Sequence, residues 1–553
     1  MSRVLKTGMI ALLIVLSVAA AACAITSVSG WLQLTDWQGW KIASTEIPVR
    51  DGSRLAADIY LPSAGKSYPV ILVQTPYSKE RHKKVMENII NGNPEAPLFK
   101  SRDYAFAVLD WRGFFQSKDT ARVTPGKEQR GEDGFDAVEW IGQQSWCNGK
   151  VSTWGQSALG NIQFLTAAQS PPHLVSASPT VYNIVTGYEN YYSGGVMRKD
   201  YVDTLANIGF AGLSSLIKQH PTDDGTYNRN AIDPSLIAAP MLLVGGWYDY
   251  NNMFQTYRLL SEKSDEKVRK NHRLVIGPWT HQGAVKDIKQ GEVHFPNAAP
   301  FAREEQKKFF DHYARGIDTG EKDSPPIKYF VMGSNQWQSA NIWPPEGVTE
   351  NTLYLAEGGK LTARKGSDGV KPDGFVSDPL NPVPTLGGAG LDPNVPTGSH
   401  DQRDKVESRS DVLCYTTEVL DSDLTIAGRV KLKLYVSSDR VDTDVAVRLT
   451  DVHPDGRSML VTDGIQRMSL RDSVREKKLL TPGQVYAVTV TMPDTAMTFL
   501  KGHRIRVSVS SSNYPRYDLN SNNGLSKGDA LVASNLLFHE TKYPSALLLP
   551  VIK

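Results

Sequence analysis

Gly149-Lys-Val-Ser-Thr-Trp-Gly-Gln-Ser-Ala-Leu-Gly160 decides how the rest of the chain is read. Val151–Trp154 has the composition of a short strand. Gln156–Gln169 then carries Leu159, Ile162, Leu165 and Ala168 at helical spacing. Ser157 falls at the sharp turn between them. There a side chain stands exposed at the C-terminal edge of a sheet, at the foot of a helix whose dipole favours negative charge. Gly155 and Gly160 flank it, as expected where a Cβ would meet the adjoining strand or helix. Gly-x-Ser is common by chance, so the segment alone also fits a structural turn with a serine starting a helix.

The surrounding pattern favours the chemical reading. Tyr68–Thr75, Tyr104–Asp110, Leu174–Val181, Pro240–Gly245 and His272–Gly277 read as strands, several of them continuous apolar runs suited to a sheet covered on both faces. Helical patterns lie between them, at Gly134–Gln143 and Phe301–Arg315 for example, the latter followed by Gly316 where a C-terminal cap belongs. Strands alternating with helices predict a mostly parallel α/β sheet. In the α/β-hydrolase elbow, Gly-x-Ser-x-Gly, the nucleophile is followed along the chain by an acid and then a histidine, each after a later strand. Here the second glycine comes one position late. Asp249 ends Pro240-Met-Leu-Leu-Val-Gly-Gly-Trp-Tyr-Asp249, and His281 ends His272-Arg-Leu-Val-Ile-Gly-Pro-Trp-Thr-His281. Taken singly, Asp249 reads as a helix N-cap and His281 as a loop histidine. Taken in order after predicted strands, Ser157, Asp249 and His281 read as a catalytic triad. Residues 183–235, rich in Tyr, Gly and Asn, interrupt the pattern and read as an inserted cap.

Beyond about Lys328 the periodicity changes to two. Val430, Leu432, Leu434 and Val436 alternate with Lys431, Lys433 and Tyr435; Tyr486–Met492 and Ile505–Val509 repeat the pattern, and Pro454-Asp455-Gly456 is a turn signal. This predicts an all-β jelly-roll or sandwich domain over 328–553, after an α/β-hydrolase domain over 43–327. Ala363–Asp411, rich in Gly and Pro, reads as one long loop.

Composition narrows the function. The 553 residues carry a net charge of +2 and only three cysteines. Nothing global draws such a chain to nucleic acid, and neither a disulfide scaffold nor a cysteine zinc cluster can be built. Asp439, Asp442, Asp444, Asp451 and Asp455 lack EF-hand spacing and read as surface charge on strands and turns; no metal or other cofactor is expected. Arg112 reads as a structural ion-pair residue and Cys147 as a buried thiol, its pairing with Cys414 left open.

The chain resembles the cocaine-esterase-like serine hydrolases, a family that includes cephalosporin acylases, α-amino-ester hydrolases and, more distantly, X-prolyl dipeptidyl peptidases. The resemblance covers essentially everything after Ala43. It is carried by Gln74-Thr-Pro-Tyr-Ser-Lys79, Asp110-Trp-Arg-Gly-Phe-Phe-Gln-Ser117, the Ser157 elbow, Gly246-Trp-Tyr-Asp249, Gly277-Pro-Trp-Thr-His281 and Ser437-Ser-Asp-Arg-Val-Asp-Thr-Asp444. It implies an α/β-hydrolase domain with a helical cap and a C-terminal jelly roll. It also implies an oxyanion hole formed by the Tyr77 hydroxyl and the Ala158 N–H. Two positions depart from the family: Ala158 stands where a tyrosine is usual, and Tyr250-Asn251-Asn252 replaces the carboxylates with which α-amino-ester hydrolases hold a substrate ammonium. The expected activity is hydrolysis of a small-molecule ester or amide. X-prolyl dipeptidyl-peptidase activity is the alternative within the class, and a non-catalytic carbohydrate- or peptide-binding surface protein the alternative outside it.

At the amino terminus, Arg3 and Lys6 precede an apolar run from Met9 to Ala22. That run is short of the roughly 20 residues that span a membrane and fits a signal peptide within residues 1–30. Ala20-Ala21-Ala22-Cys23 admits ordinary Ala-x-Ala cleavage, or lipidation of Cys23 with membrane attachment. The expectation is bacterial-type export to the periplasm, the medium or a lipid anchor. Mass spectrometry of the mature protein should find no intact Met1; a start at Cys23 without acyl chains would exclude lipidation, and an intact Met1 in soluble cytoplasmic material would exclude export.

Overall fold

The computed structural model describes residues 32–90, 102–120, 129–185, 187–227, 232–251, 253–285, 289–525 and 528–553. The amino-terminal segment, including Cys23, lies outside them. Among the described residues no helix is long and apolar enough to cross a membrane.

The first sheet has eleven strands: β1 (Thr35–Trp37), β2 (Trp40–Pro48), β3 (Arg54–Leu61), β4 (Tyr68–Thr75), β5 (Ala105–Asp110), β6 (Cys147–Gln156), β7 (Leu174–Thr180), β8 (Leu242–Tyr248), β9 (Arg273–Thr280), β10 (Ile327–Val331) and β11 (Gln336–Ala340). Their spatial order is β1-β2-β3-β5-β4-β6-β7-β8-β9-β10-β11. From β5 to β10 all neighbours run parallel. Helices α1 (Lys79–Ile90), α2 (Arg130–Gly142), α3 (Ala158–Ala167), α4 (Lys199–Leu205), α5 (Ala211–Gln219), α6 (Met253–Lys263) and α7 (Ala298–Phe310) follow in chain order.

The continuous apolar runs are explained by two-sided burial. Alternate residues of β4 point to opposite faces: Val70 and Leu72 pack with Val138, Ile141 and Phe164, whereas Ile71 and Val73 pack with Tyr60, Phe106, Leu159 and Phe310. Between β7 and β8 lies the insertion. It has its own core of Tyr188, Tyr191, Tyr192, Val202, Leu205, Ile217 and Tyr227.

The C-terminal region is β-rich. Its longer strands are β12 (Leu424–Ser438), β13 (Asp444–Val452), β14 (Ser458–Arg467), β15 (Tyr486–Phe499) and β16 (Arg504–Ser510). The alternation read from sequence faces its core: Val430, Leu432, Leu434 and Val436 are buried, as are Ile505, Val507 and Val509. The insertion leans on this region. Gly194 sits so close to β14 that a Cβ there would lie 2.1 Å from the Ile465 carbonyl oxygen, and the Arg467 N–H donates to the Gly194 carbonyl at 2.8 Å.

Three expectations need correction. The first sheet continues past residue 328: β10 and β11 form an antiparallel hairpin on its edge, and a hairpin's alternation resembles the β-rich region's. The stretch 363–411 holds a short strand, Asp373–Ser377, paired with Ala533–Phe538; its glycine and flanking polar residues hide it. Finally, Asp442, Asp444 and Asp451 are buried, not surface charge; Asp444, for example, is held by Arg467 at 2.9 Å. Cys147 and Cys414 are both free thiols.

Arg112 ties three elements together. Its guanidinium donates to Asp133 on α2 at 2.6 and 2.8 Å and to Asp51 in the β2–β3 turn at 2.7 Å. The side chains of Arg112 and Asp133 are only 3% and 7% exposed. Arg112→Met would strand a buried carboxylate, which costs about 3–5 kcal/mol. Calorimetry should show a clear fall in melting temperature; a shift no larger than that of Arg440→Met, at the exposed Arg440–Asp439 pair, would contradict this account.

Candidate active site

Strand register brings the site together. In the β8–β9 pair Tyr248 lies opposite Thr280, so the next residues, Asp249 and His281, emerge side by side. In the β6–β7 pair Gln156 lies opposite Thr180, and Ser157 leaves the same edge of the sheet.

Ser157 is the N-cap of α3, with φ 60° and ψ −119°. A non-glycine residue held there costs on the order of 1–3 kcal/mol, so its surroundings must fix it. Its N–H donates to the Thr180 carbonyl at 2.9 Å, and its own carbonyl accepts from the N–H groups of Gly160 and Asn161 at 2.7 and 2.9 Å. Gly155 has φ +148°, and a Cβ there would lie 2.5 Å from Leu159 Cβ. The late second glycine now has a reason. Leu159 occupies the usual position and packs into the core, while Gly160 lies against β7, where a Cβ would sit 3.0 Å from the Thr180 oxygen. Buried Gln163 braces the turn, its amide nitrogen donating to the Gly155 and Leu159 carbonyls at 3.1 and 2.9 Å and its oxygen accepting from Ser178 N–H at 3.1 Å.

The three sequence-predicted residues form one hydrogen-bonded chain. Ser157 Oγ lies 3.0 Å from His281 Nε2, and His281 Nδ1 lies 2.6 Å from Asp249 Oδ2. The imidazole and carboxylate are buried. A hydroxyl, a base and an orienting acid in this sequence make an activated nucleophile chemically feasible. The Tyr77 side chain lies beside Ser157; burial pushes its hydroxyl above the ordinary phenol range, and the neighbouring Ser157 side chain only partly offsets this. The Ala158 N–H belongs to the first turn of α3, whose N–H groups have no intrahelical acceptor.

Sequence reasoning missed the groups that hold these residues. Asn251 donates to Asp249 Oδ1 through its backbone N–H (2.8 Å) and its amide (2.6 Å), and the same amide donates to the Val181 carbonyl at 2.9 Å. Gln156 Nε2 reaches the His281 carbonyl at 2.5 Å. The Tyr250 ring stacks on His281, centroids 5.1 Å apart and planes at 22°, and the Tyr250 carbonyl accepts from Arg198 at 3.1 Å. Tyr250 and Asn251 stand in the segment that the sequence marks for its lack of carboxylates, but their hold on the ring and the acid does not show there; nothing marks Gln156 before the fold is known. A cavity of about 350 Å³ adjoins Asp249, lined by Tyr188, Tyr192 and Arg198 from the insertion, Trp247 and Tyr250 from the β8 end, and Asp494 from β15.

The family described as X-Pro dipeptidyl-peptidase (S15 family) matches residues 51–211 and 210–283, and the X-Pro dipeptidyl-peptidase C-terminal non-catalytic domain matches residues 319–548. Cocaine esterase from Rhodococcus sp. (strain MB1 Bresler) is 30% identical, the alignment covering 92% of this chain and 98% of that protein. A solved α-amino acid ester hydrolase superposes with a TM-score of 0.80 at 25% identity, over 95% of this chain and 99% of its own. An aminopeptidase from the marine sediment archaeon Thaumarchaeota archaeon shares the fold, with a TM-score of 0.80 at 24% identity over 96% and 99% of the two chains. The chain is thus a hydrolase and belongs to the serine hydrolase family that includes cocaine esterase and the X-Pro dipeptidyl-peptidases.

Proposed function

We propose that this protein is an exported serine esterase that works through an acyl-enzyme on Ser157. One observation carries the reading: the unbroken chain Ser157 Oγ–His281–Asp249, with the Tyr77 side chain beside the same serine. As Ser157 Oγ bonds to the substrate carbonyl carbon, its proton passes to His281 Nε2. The oxyanion that forms is met by the Tyr77 hydroxyl and the Ala158 N–H, each worth about 3 kcal/mol to the transition state. His281 returns the proton to the leaving oxygen or nitrogen, and water, activated by the same imidazole, releases the acid. Asp249 accepts the Nδ1–H throughout, fixing the tautomer and stabilising the imidazolium. Export rests on the apolar amino-terminal run.

The second reading, removal of X-prolyl dipeptides, draws on the peptidase family that matches residues 51–283. Asn251 weighs against it. It occupies a position where an ammonium-binding carboxylate would serve, it is neutral, and its amide is turned onto Asp249 and Val181. The purely carbohydrate- or peptide-binding reading falls with membership of a hydrolase family.

Two measurements test this function. On a small activated ester whose acylation is rate-limiting, Tyr77→Phe should lower kcat by roughly 100-fold with KM nearly unchanged, because the lost donor acts on the developing oxyanion. A kcat within about threefold of the parent would move the second donor elsewhere. Across a panel of neutral carboxylic esters and aminoacyl-proline amides, kcat/KM should be higher for the esters; the reverse order would establish the peptidase reading.

A further inference from the structure

We infer that Asp451, His453 and His503 form a divalent transition-metal site in the β-rich region, at the ends of two strands that carry none of the triad. β13 and β16 pair antiparallel, with Val452 opposite Arg504 and Asp451 opposite Ile505. One step further along this register His453 meets His503. Asp451 and His453, two residues apart, share a face, so two imidazoles and a carboxylate converge on one side at the end of the sheet. His503 Nδ1 lies 2.9 and 3.0 Å from the two Asp451 oxygens, His453 Nε2 lies 3.3 Å from Oδ2, and the rings are 4.5 Å apart. One donor atom from each residue falls within 4.8 Å of the others.

Two further facts favour a cation at this place. Asp451 is 3% exposed on the same side as core residue Ile505, and among the described residues its ion-pair partners are the two histidines alone, with no Arg or Lys. A divalent ion held between the three side chains would balance this buried carboxylate. The spacing also suits one: ligands about 2.0–2.1 Å from a tetrahedral zinc lie about 3.3 Å apart, so small ring rotations complete the set. His453, the partly exposed member, opens a path for the ion and for a water as fourth ligand. An N,N,O donor set suits zinc and its neighbours rather than calcium. The bound ion would staple the 453–457 turn to the start of β16.

The test uses the untagged full chain, stripped with a chelator and titrated with Zn²⁺ by calorimetry and with Co²⁺ by visible absorption. The expected result is one equivalent bound, a tetrahedral-type Co²⁺ band and a raised melting temperature. Binding should be weakened at least about tenfold in His453→Gln and in His503→Gln, while both variants keep ester hydrolysis. Absence of one-equivalent binding by the parent chain, or equal binding by the two variants, would overturn the site and leave a hydrogen-bonded ion cluster only. Should a variant lose hydrolysis and hence its fold, the parent chain's Co²⁺ spectrum decides: an octahedral, solvent-like spectrum overturns the assignment.

Discussion

The hydrogen bond from the Ser157 N–H to the Thr180 carbonyl is the contact on which the site depends. It holds a serine at φ 60°, where an L-residue would not stay unaided, and it fixes the end of β6 against β7. From that one constraint follow the direction of Oγ, the position of the Ala158 N–H at the helix start, and the need for glycine at 155 and 160. The strain is local and is offset by the buried Gln163 network and the packing of α3 against β6 and β7.

The remaining chemistry is delivered by register. Parallel pairing of β8 with β9 brings Asp249 and His281 out at one level, and Asn251 and Tyr250 then fix the acid and the ring. The β-rich region reaches this edge through the Tyr248 hydroxyl, which donates to the Leu460 carbonyl at 3.0 Å one residue before Asp249. Insertion, sheet and β-rich region therefore all border the cavity beside the acid. Substrate selection should respond to changes in any of the three, although the reacting atoms belong to the first sheet.

Much of this was legible in the sequence because it depends on local chemistry and chain order. The Gly155–Gly160 turn announces a strand-to-helix elbow, apolar runs announce buried parallel strands, and Asp249 and His281 each follow such a run. What escaped notice depends on contacts distant in sequence. Gln156 serves the His281 loop 125 residues away. The β10–β11 hairpin looks like the β-rich region because antiparallel pairing has the same period wherever it occurs. Asp442, Asp444 and Asp451 looked like surface charge because carboxylates are seldom fully buried; their partners Ser469, Arg467 and His503 lie on other strands or turns.

The most direct measurement of the central claim is labelling by a fluorophosphonate, which reacts with a serine only where its hydroxyl is activated. Mass spectrometry of the digested adduct should place a single label on Ser157, absent from Ser157→Ala. A label on another serine, or undiminished labelling of Ser157→Ala, would show that the elbow is a structural turn and that the nucleophile lies elsewhere.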